Sequence, residues 1–187
     1  MQYFTPKLHV QSNSRDKRVA DRAAAKWKEA NQRYIRHYKK IARQLPPDLS
    51  KFADEQFLHD ADFDGPNMIR PFALPWSPQF VTIAVRQIHT LAAEFKNTCA
   101  VLFYEVAEPP VIETPIVHWV FHPAGPQWLW DEVDLIKPDL FSHEILVSDD
   151  RVIKIRFRDF HYNIVPLKQE KSAAAKPKKP ARRKASA

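Results

Sequence analysis

The chain has 187 residues, enough for one domain with a sizeable core, and it contains only two glycines and one cysteine. Dinucleotide-binding turns, phosphate loops and the nucleophile elbow of hydrolases need several glycines, because the backbone there must bend sharply or approach a ligand, so these classes are excluded. The single cysteine excludes an intrachain disulfide and a multi-cysteine zinc or iron–sulfur site.

The net charge of +7 is distributed in three blocks along the sequence. Residues 1–51 carry 13 basic and 4 acidic residues, a net +9, whereas residues 52–167 carry 8 and 17, a net −9. The last block, residues 168–187, has 8 basic residues and 1 acidic residue, a net +7. The body is therefore neutral but polarised, and the whole excess of positive charge belongs to the C-terminal segment.

A long amphipathic helix is predicted in the first third of the chain, because apolar residues recur there at steps of three and four. Asn13 is its expected N-cap, and Pro46-Pro47 is expected to end it. A shorter helix is predicted over residues 47–57, with Leu49 and Phe52 turned inward. The apolar stripe of the long helix comprises Val19, Ala23, Trp27, Ala30, Tyr34, Tyr38, Ile41 and Leu45.

The residues after position 60 favour an antiparallel sheet, since short β-branched and aromatic runs alternate with prolines. Asp149-Asp150 is expected to form the turn of a final hairpin. The opening residues 1–6 are expected to be an extended segment that docks on the body. The predicted strands are Phe80–Ile88, Thr98–Val106, Val111–Phe121, Trp128–Ile136, Glu144–Ser148 and Val152–Tyr162.

These patterns predict an α+β domain, with an N-terminal long amphipathic helix and a short helix packed on an antiparallel sheet of about six strands. The domain is expected to span residues 1–167, mainly helical over 1–58 and mainly stranded over 59–167. Residues 168–187 contain no large apolar side chain, so a disordered tail rich in Lys, Pro and Ala is predicted.

The cationic tail is the strongest functional indication in the sequence. A flexible polycation binds nucleic acid or another polyanion by releasing counterions and does not read base sequence. The alternative interpretation is a solubilising extension without a partner. The tail cations expected to make such contacts are Lys176, Lys178, Lys179, Arg182, Arg183 and Lys184.

Two further basic surfaces are expected to be solvated faces, although each could grip phosphates. The long helix has cations opposite its apolar stripe, and these could partly neutralise the acidic region beneath. On the last strand, cations alternate with apolar residues, which places the cations on the solvent-exposed face of a half-buried sheet. The two sets are Arg18, Arg22, Arg33, Arg36, Lys40 and Arg43 on the helix, and Lys154, Arg156 and Arg158 on the strand.

The densest polar cluster of the sequence runs from His59 to Gly65. Its aspartates resemble the opening of a calcium-binding loop, but the twelfth position, which needs a bidentate Glu, is Pro71. An acidic turn between the helices and the sheet is the preferred interpretation. The weak alternative is catalysis, with His59, Asp60 and Asp62 as candidate residues.

Histidines and tryptophans supply two other hypotheses. His118 and His122 are four residues apart, but on a strand this spacing spans about 13 Å, too far for one metal ion unless His143 or Asp131 joined them. No metal site and no cofactor are therefore predicted. Trp119, Trp128 and Trp130 could line a ligand cleft, although core packing is the simpler interpretation.

Four segments resemble an uncharacterised family of bacterial proteins without an established activity. They are the Tyr-Phe-Thr-Pro start at residues 3–6, the Leu-His-Asp-Ala motif at 58–61, the Trp-Leu-Trp-Asp-Glu-Val-Asp-Leu run at 128–135, and the ending at 143–160. The resemblance covers about residues 1–162 and implies a bacterial protein with helices before sheet. Asp150 stands where that family usually has glycine.

The leading functional hypothesis is a cytoplasmic, non-enzymatic interaction protein, with no signal or membrane segment apparent. Its body would bind an unidentified protein partner, and its tail would contact nucleic acid or an acidic partner. The alternative is a metal-assisted or acid–base hydrolase that combines His59, Asp60 and Asp62 with one of His118, His122 or His143. The third hypothesis is a small-molecule-binding module with an aromatic pocket.

Overall fold

The computed structural model describes residues 1–55, 58–69, 79–86, 98–113 and 126–166. Within these ranges the helices come first and the strands follow, as the sequence predicts. The end of the predicted strand Phe80–Ile88, most of Val111–Phe121 and the whole tail, residues 168–187, lie outside the described residues. The predictions made for these segments stay predictions.

Three α-helices occupy the N-terminal part: α1 (Pro6–Ser12), α2 (Lys17–Ile41) and α3 (Pro47–Glu55). A 3-10 turn, Ala42–Gln44, continues α2. The sequence predicted α2 and α3 but not α1. Helix α1 forms because Thr5 accepts a hydrogen bond from the Leu8 amide and proline suits the first helical position.

The N-cap of the long helix differs from the prediction. Asp16 caps α2, with its carboxylate accepting a hydrogen bond from the Arg18 amide at 2.8 Å. Asn13, the predicted N-cap, instead follows the last residue of α1, and its amide donates to the His9 carbonyl at 3.2 Å. Because α1 uses the residues before position 13, the N-cap of the second helix lies three residues after the predicted one.

Seven strands follow in the described residues, and the six predicted segments correspond to β2 through β7. Strand β7 is the longest, with 15 residues. The strands are β1 (Ala61–Ile69), β2 (Gln79–Arg86), β3 (Thr98–Val106), β4 (Val111–Glu113), β5 (Gln127–Lys137), β6 (Leu140–Val147) and β7 (Val152–Pro166).

Strand β1 was predicted as an acidic turn. His59 and Asp60 do form a turn, but extended structure begins at Ala61. Gly65 interrupts the strand pattern in the sequence, yet a Cβ atom there would lie 3.0 Å from the Thr82 carbonyl oxygen of β2. The glycine therefore lets the two strands approach closely where their pairing register shifts.

The strands are antiparallel, as predicted, but they close into a six-stranded barrel that the predicted sheet did not include. The order around the barrel is β1, β2, β3, β7, β6 and β5, and β1 pairs with β5 to complete it. Closure depends on the length of β7. Its first half pairs with β6, and from Phe157 onward its opposite edge pairs with β3. Strand β4 pairs with the start of that same edge.

The core lies inside the barrel and beneath the helices. Strand β3 alternates buried and partly exposed residues along its whole length, the pattern of a strand with one face in the core. The predicted inward residues Leu49 and Phe52 of α3 are buried, as are Ala23, Ala30 and Ile41 of the α2 stripe. The apolar periodicity of the sequence thus identified the packed face of both helices.

The basic faces point to solvent, as predicted. All six cations named for α2 and its 3-10 turn are exposed. None of them forms an ion pair within the described part of the chain, so they do not neutralise the acidic region by direct pairing. On β7, Lys154 pairs with Glu113 at 2.8 Å and Arg156 with Glu108 at 3.0 Å. None of the described helices combines the length and the apolar character needed to cross a bilayer.

Candidate functional site

An irregularity in β5 brings two polar side chains to one face of the strand. The pairing with β6 shifts register between Trp128 and Trp130. In a regular strand, residues three apart point to opposite faces, but the bulge at this register shift changes the alternation. The indole Nε1 of Trp128 therefore donates a hydrogen bond to Asp131 Oδ1 at 3.0 Å. Trp128 is fully buried, whereas the Asp131 side chain keeps about a third of its surface exposed, at 34%.

His143 of β6 continues this polar network into the barrel. Its Nε2 lies 3.0 Å from Asp131 Oδ2, and its Nδ1 lies 2.9 Å from the hydroxyl oxygen of Tyr104 on β3. Both His143 and Tyr104 are buried, at 1% and 0% exposure. Burial, and next the charge of Asp131, raise the pKa of Tyr104 well above its ordinary value.

The donors and acceptors of this network have one consistent assignment. The protonated Tyr104 hydroxyl donates to His143 Nδ1, and the Nε2–H group of His143 donates to Asp131. A doubly protonated imidazole would leave the buried hydroxyl hydrogen of Tyr104 without its acceptor. In this assignment Nδ1 of His143 is an acceptor, and the Asp131 carboxylate accepts one hydrogen bond at each of its oxygens.

A cavity of about 540 Å³ lies between α2, α3 and β5, and Asp131 and His143 form part of its wall. The rest of its lining is mostly apolar and aromatic, with Tyr34 and Tyr38 contributed by α2 at a helical spacing of four. A cavity of this size with a few convergent polar groups is typical of small-molecule sites. The aromatic rings that line it are Phe4, Tyr34, Tyr38, Phe52 and Trp130.

The tyrosines of the cavity lie in a negative electrostatic environment. Burial, and next the charge of Asp131, raise the pKa of Tyr34 well above its ordinary value. Burial and the neighbouring Asp54 carboxylate raise the pKa of Tyr38 to about 12, and Asp131 adds to this effect. Both phenols therefore remain protonated at neutral pH. The Tyr34 oxygen accepts a hydrogen bond from the Val133 amide at 2.8 Å, which fixes the ring against β5.

The N-terminal segment closes one side of this cavity. Glu132 is buried, and its carboxylate accepts hydrogen bonds from the backbone amides of Gln2, Tyr3 and Phe4 at 2.6 to 2.7 Å. Phe4 is buried and stacks on Trp130, with ring centroids 5.2 Å apart. The expected docking of residues 1–6 is thus observed, and it depends on a buried acid that sequence analysis did not single out.

The structure brings together some of the predicted catalytic residues, because His59 and His143 both line the cavity and Asp60 pairs with His59. His59 lines the cavity, packs edge-on against Trp130, and has its Nδ1 3.0 Å from Asp60 Oδ2. Asp60 is exposed and lies instead at a neighbouring depression that His59 also borders. Asp62 is on β1 and is not among the residues that line the cavity. His143, named as a third ligand, pairs with Asp131 instead.

The remaining predicted site residues are only partly described. Trp130 lines the cavity and Trp128 lies behind it in the core. Trp119, His118 and His122 lie outside the described residues, as do the tail cations Lys176, Lys178, Lys179, Arg182, Arg183 and Lys184. In the described part of the chain, no three His, Cys, Asp or Glu side chains lie close enough to hold a metal ion.

Comparison with known proteins gave no match: no family model, no curated protein and no solved structure is similar to this chain. The resemblance to bacterial sequences therefore stays a prediction.

Proposed function

We propose that the protein is a small-molecule-binding module and that the cavity between α2, α3 and β5 is its binding site. The observation that carries this proposal is the lining itself. Five aromatic rings line a space of about 540 Å³, with the His143–Asp131 pair set into its wall. This is the third of the functions considered from the sequence, and its aromatic pocket is built from Trp130 together with rings from the helices.

The polar groups of the cavity are held in place before any ligand arrives. His143 is fixed at both ring nitrogens, and Asp131 accepts hydrogen bonds at both oxygens. The Tyr34 oxygen accepts from a backbone amide, so its own hydroxyl hydrogen is available to a ligand. Preorganised groups of this kind lower the entropic cost of binding and set the orientation of the ligand.

A cavity-filling substitution tests the proposal. Ala53 is an exposed residue of α3 that lines the cavity, so Ala53→Trp places a large ring in the space without replacing a core side chain. Ala25 is an exposed residue of α2 and does not line the cavity, which makes Ala25→Trp the matched control. We expect small aromatic fragments, screened by ligand-observed NMR, to bind the wild type and Ala25→Trp but not Ala53→Trp.

Two results would refute this function. The first is that no fragment binds the wild-type protein. The second is that fragments bind Ala53→Trp as well as they bind the wild type, because binding would then occur elsewhere on the surface.

A second candidate function is polyanion association, the leading hypothesis from the sequence. The observation that favours it is the exposed basic face of α2, whose cations form no ion pair in the described part of the chain. The test is removal of residues 168–187 followed by titration with duplex DNA across a range of salt. If all eight tail cations engage DNA, truncation should reduce the log–log salt slope by about 7. Unchanged affinity and slope would contradict a role for the tail.

A further inference from the structure

The charge of Asp131 is the least compensated feature of the cavity. Its carboxylate accepts hydrogen bonds from Trp128 and His143, and it forms no ion pair with a lysine or arginine within the described residues. A partly buried carboxylate of this kind is stabilised by a cation brought close to it.

The other charged groups of the cavity wall leave the balance negative. Asp54 and Lys39 are both exposed and border the cavity, and their charges offset each other. His59 has a carboxylate partner in Asp60. Asp131, at 34% exposure, is therefore the least exposed carboxylate of the cavity wall that no opposite charge balances.

The aromatic rings that line the same cavity as Asp131 are suited to the same kind of ligand. Phe4 lies against both Trp130 and Tyr34, at ring-centroid distances of 5.2 and 5.4 Å. The faces of such rings attract organic cations through their quadrupoles, and Trp is the strongest of them. Aromatic rings beside a carboxylate are a general arrangement for binding ammonium groups.

We propose that the cavity binds an organic ammonium ion, with the cationic nitrogen near Asp131 and the apolar part of the ligand against Trp130 and Tyr34. This inference rests on the proposed function, because it needs the cavity to be a binding site. It adds the chemical class of the ligand: a small cation with an apolar body, and neither a neutral hydrocarbon nor an anion.

A pair of isosteric probes tests the inference. Phenyltrimethylammonium and tert-butylbenzene have nearly the same shape and differ in charge. Their dissociation constants are measured by ligand-observed NMR on the full chain. We expect Asp131→Asn to weaken binding of the cation about tenfold and to leave binding of the neutral probe unchanged. An equal effect on both probes, or no effect on the cation, would overturn the inference.

Two exposed positions keep the test decisive if Asp131→Asn does not fold. Lys39→Gln should strengthen binding of the cation about two- to threefold, and Asp54→Asn should weaken it by a similar factor, both without changing the affinity for tert-butylbenzene. Unchanged affinity of the cation in both variants would overturn the inference.

The Ala53→Trp variant distinguishes failure of the proposed function from failure of the inference about the ligand. If tert-butylbenzene binds the wild type, is lost from Ala53→Trp, and the cation does not bind, the cavity is a site but the inference about its ligand is wrong. If neither probe binds the wild type, both the proposed function and the inference fail.

Discussion

The hydrogen bond between Tyr104 and His143 offers a direct test of the buried network. Tyr104→Phe removes one oxygen atom and leaves the ring in place, so no large cavity forms. His143 Nδ1 then loses its donor in a region where both residues are at most 1% exposed. A buried acceptor without a partner costs about 1–3 kcal/mol. We therefore expect the free energy of unfolding of Tyr104→Phe to fall by that amount.

Equilibrium unfolding in urea measures this loss, and the slope with denaturant should stay the same because the fold does not change. Tyr3→Phe is the matched control. Tyr3 is partly buried and makes ring contacts with Tyr34 and His37, but its hydroxyl has no hydrogen-bond partner among the described residues. The control should unfold within about 0.5 kcal/mol of the wild type. A Tyr104→Phe protein as stable as this control would refute the network.

Further predictions concern the N-terminal segment, a turn and one exposed histidine. Glu132→Gln turns an acceptor into a donor that faces backbone amides, so stability should fall by about 1–3 kcal/mol and hydrogen exchange at the Phe4 amide should accelerate. Asp150→Gly relieves the strain of a φ of 61°, and it removes a carboxylate oxygen that is buried without a hydrogen-bond partner in the described structure. The free energy of unfolding, measured in urea, should therefore rise by up to about 1 kcal/mol. Burial raises the pKa of Asp150 above 3.8, so the folded state binds this proton more tightly than the unfolded state does. Stability therefore falls as pH rises from that value through the folded pKa, and this fall should be absent in Asp150→Gly. The pKa of His161 is raised above 6.5, mainly by its hydrogen bond to Asp48. The stabilisation of the fold by this pair is therefore complete below pH 6.5 and is lost as pH rises through the folded pKa. This loss is below about 1 kcal/mol for an exposed pair, and His161→Gln should remove it. Unchanged exchange, stability or pH profile would contradict the corresponding prediction.

The sequence predicted those parts of the fold whose signal is local. The stripe of α2 and the β-branched and aromatic run of β3 depend on residues a few positions apart, and the predicted helix and strand are both observed. The hairpin between β6 and β7 follows from Asp149-Asp150, and Asp150 adopts the left-handed backbone that the turn needs, with φ of 61°.

The barrel could not be predicted in the same way, because its closure is a long-range event. Strand β7 pairs with β6 over its first half and with β3 beyond it, and no local pattern shows that one strand serves both partners. Strand β1 was missed for a different reason. Gly65 and the proline after it are typical turn residues, and only the close approach of β2 explains a glycine within a strand there.

The candidate site was the least predictable part. His143 alternates with Ile145 and Val147 on a buried face, so a polar residue in an apolar row was a usable signal. Asp131 gave no such signal, because its position on the cavity side depends on the register shift in β5. Tyr34 and Tyr38 were correctly placed on the packed face of α2, but their hydroxyl groups acquire a role only once β5 and α3 are beside them.

Location of a bound ligand is the most direct test of the central claim that the cavity is a binding site. Intermolecular nuclear Overhauser effects between a bound aromatic fragment and the isotope-labelled protein report which side chains lie within about 5 Å of the ligand. We expect contacts to the rings of Trp130 and Tyr34, which line the cavity from β5 and α2. Contacts confined to residues outside the cavity would contradict it.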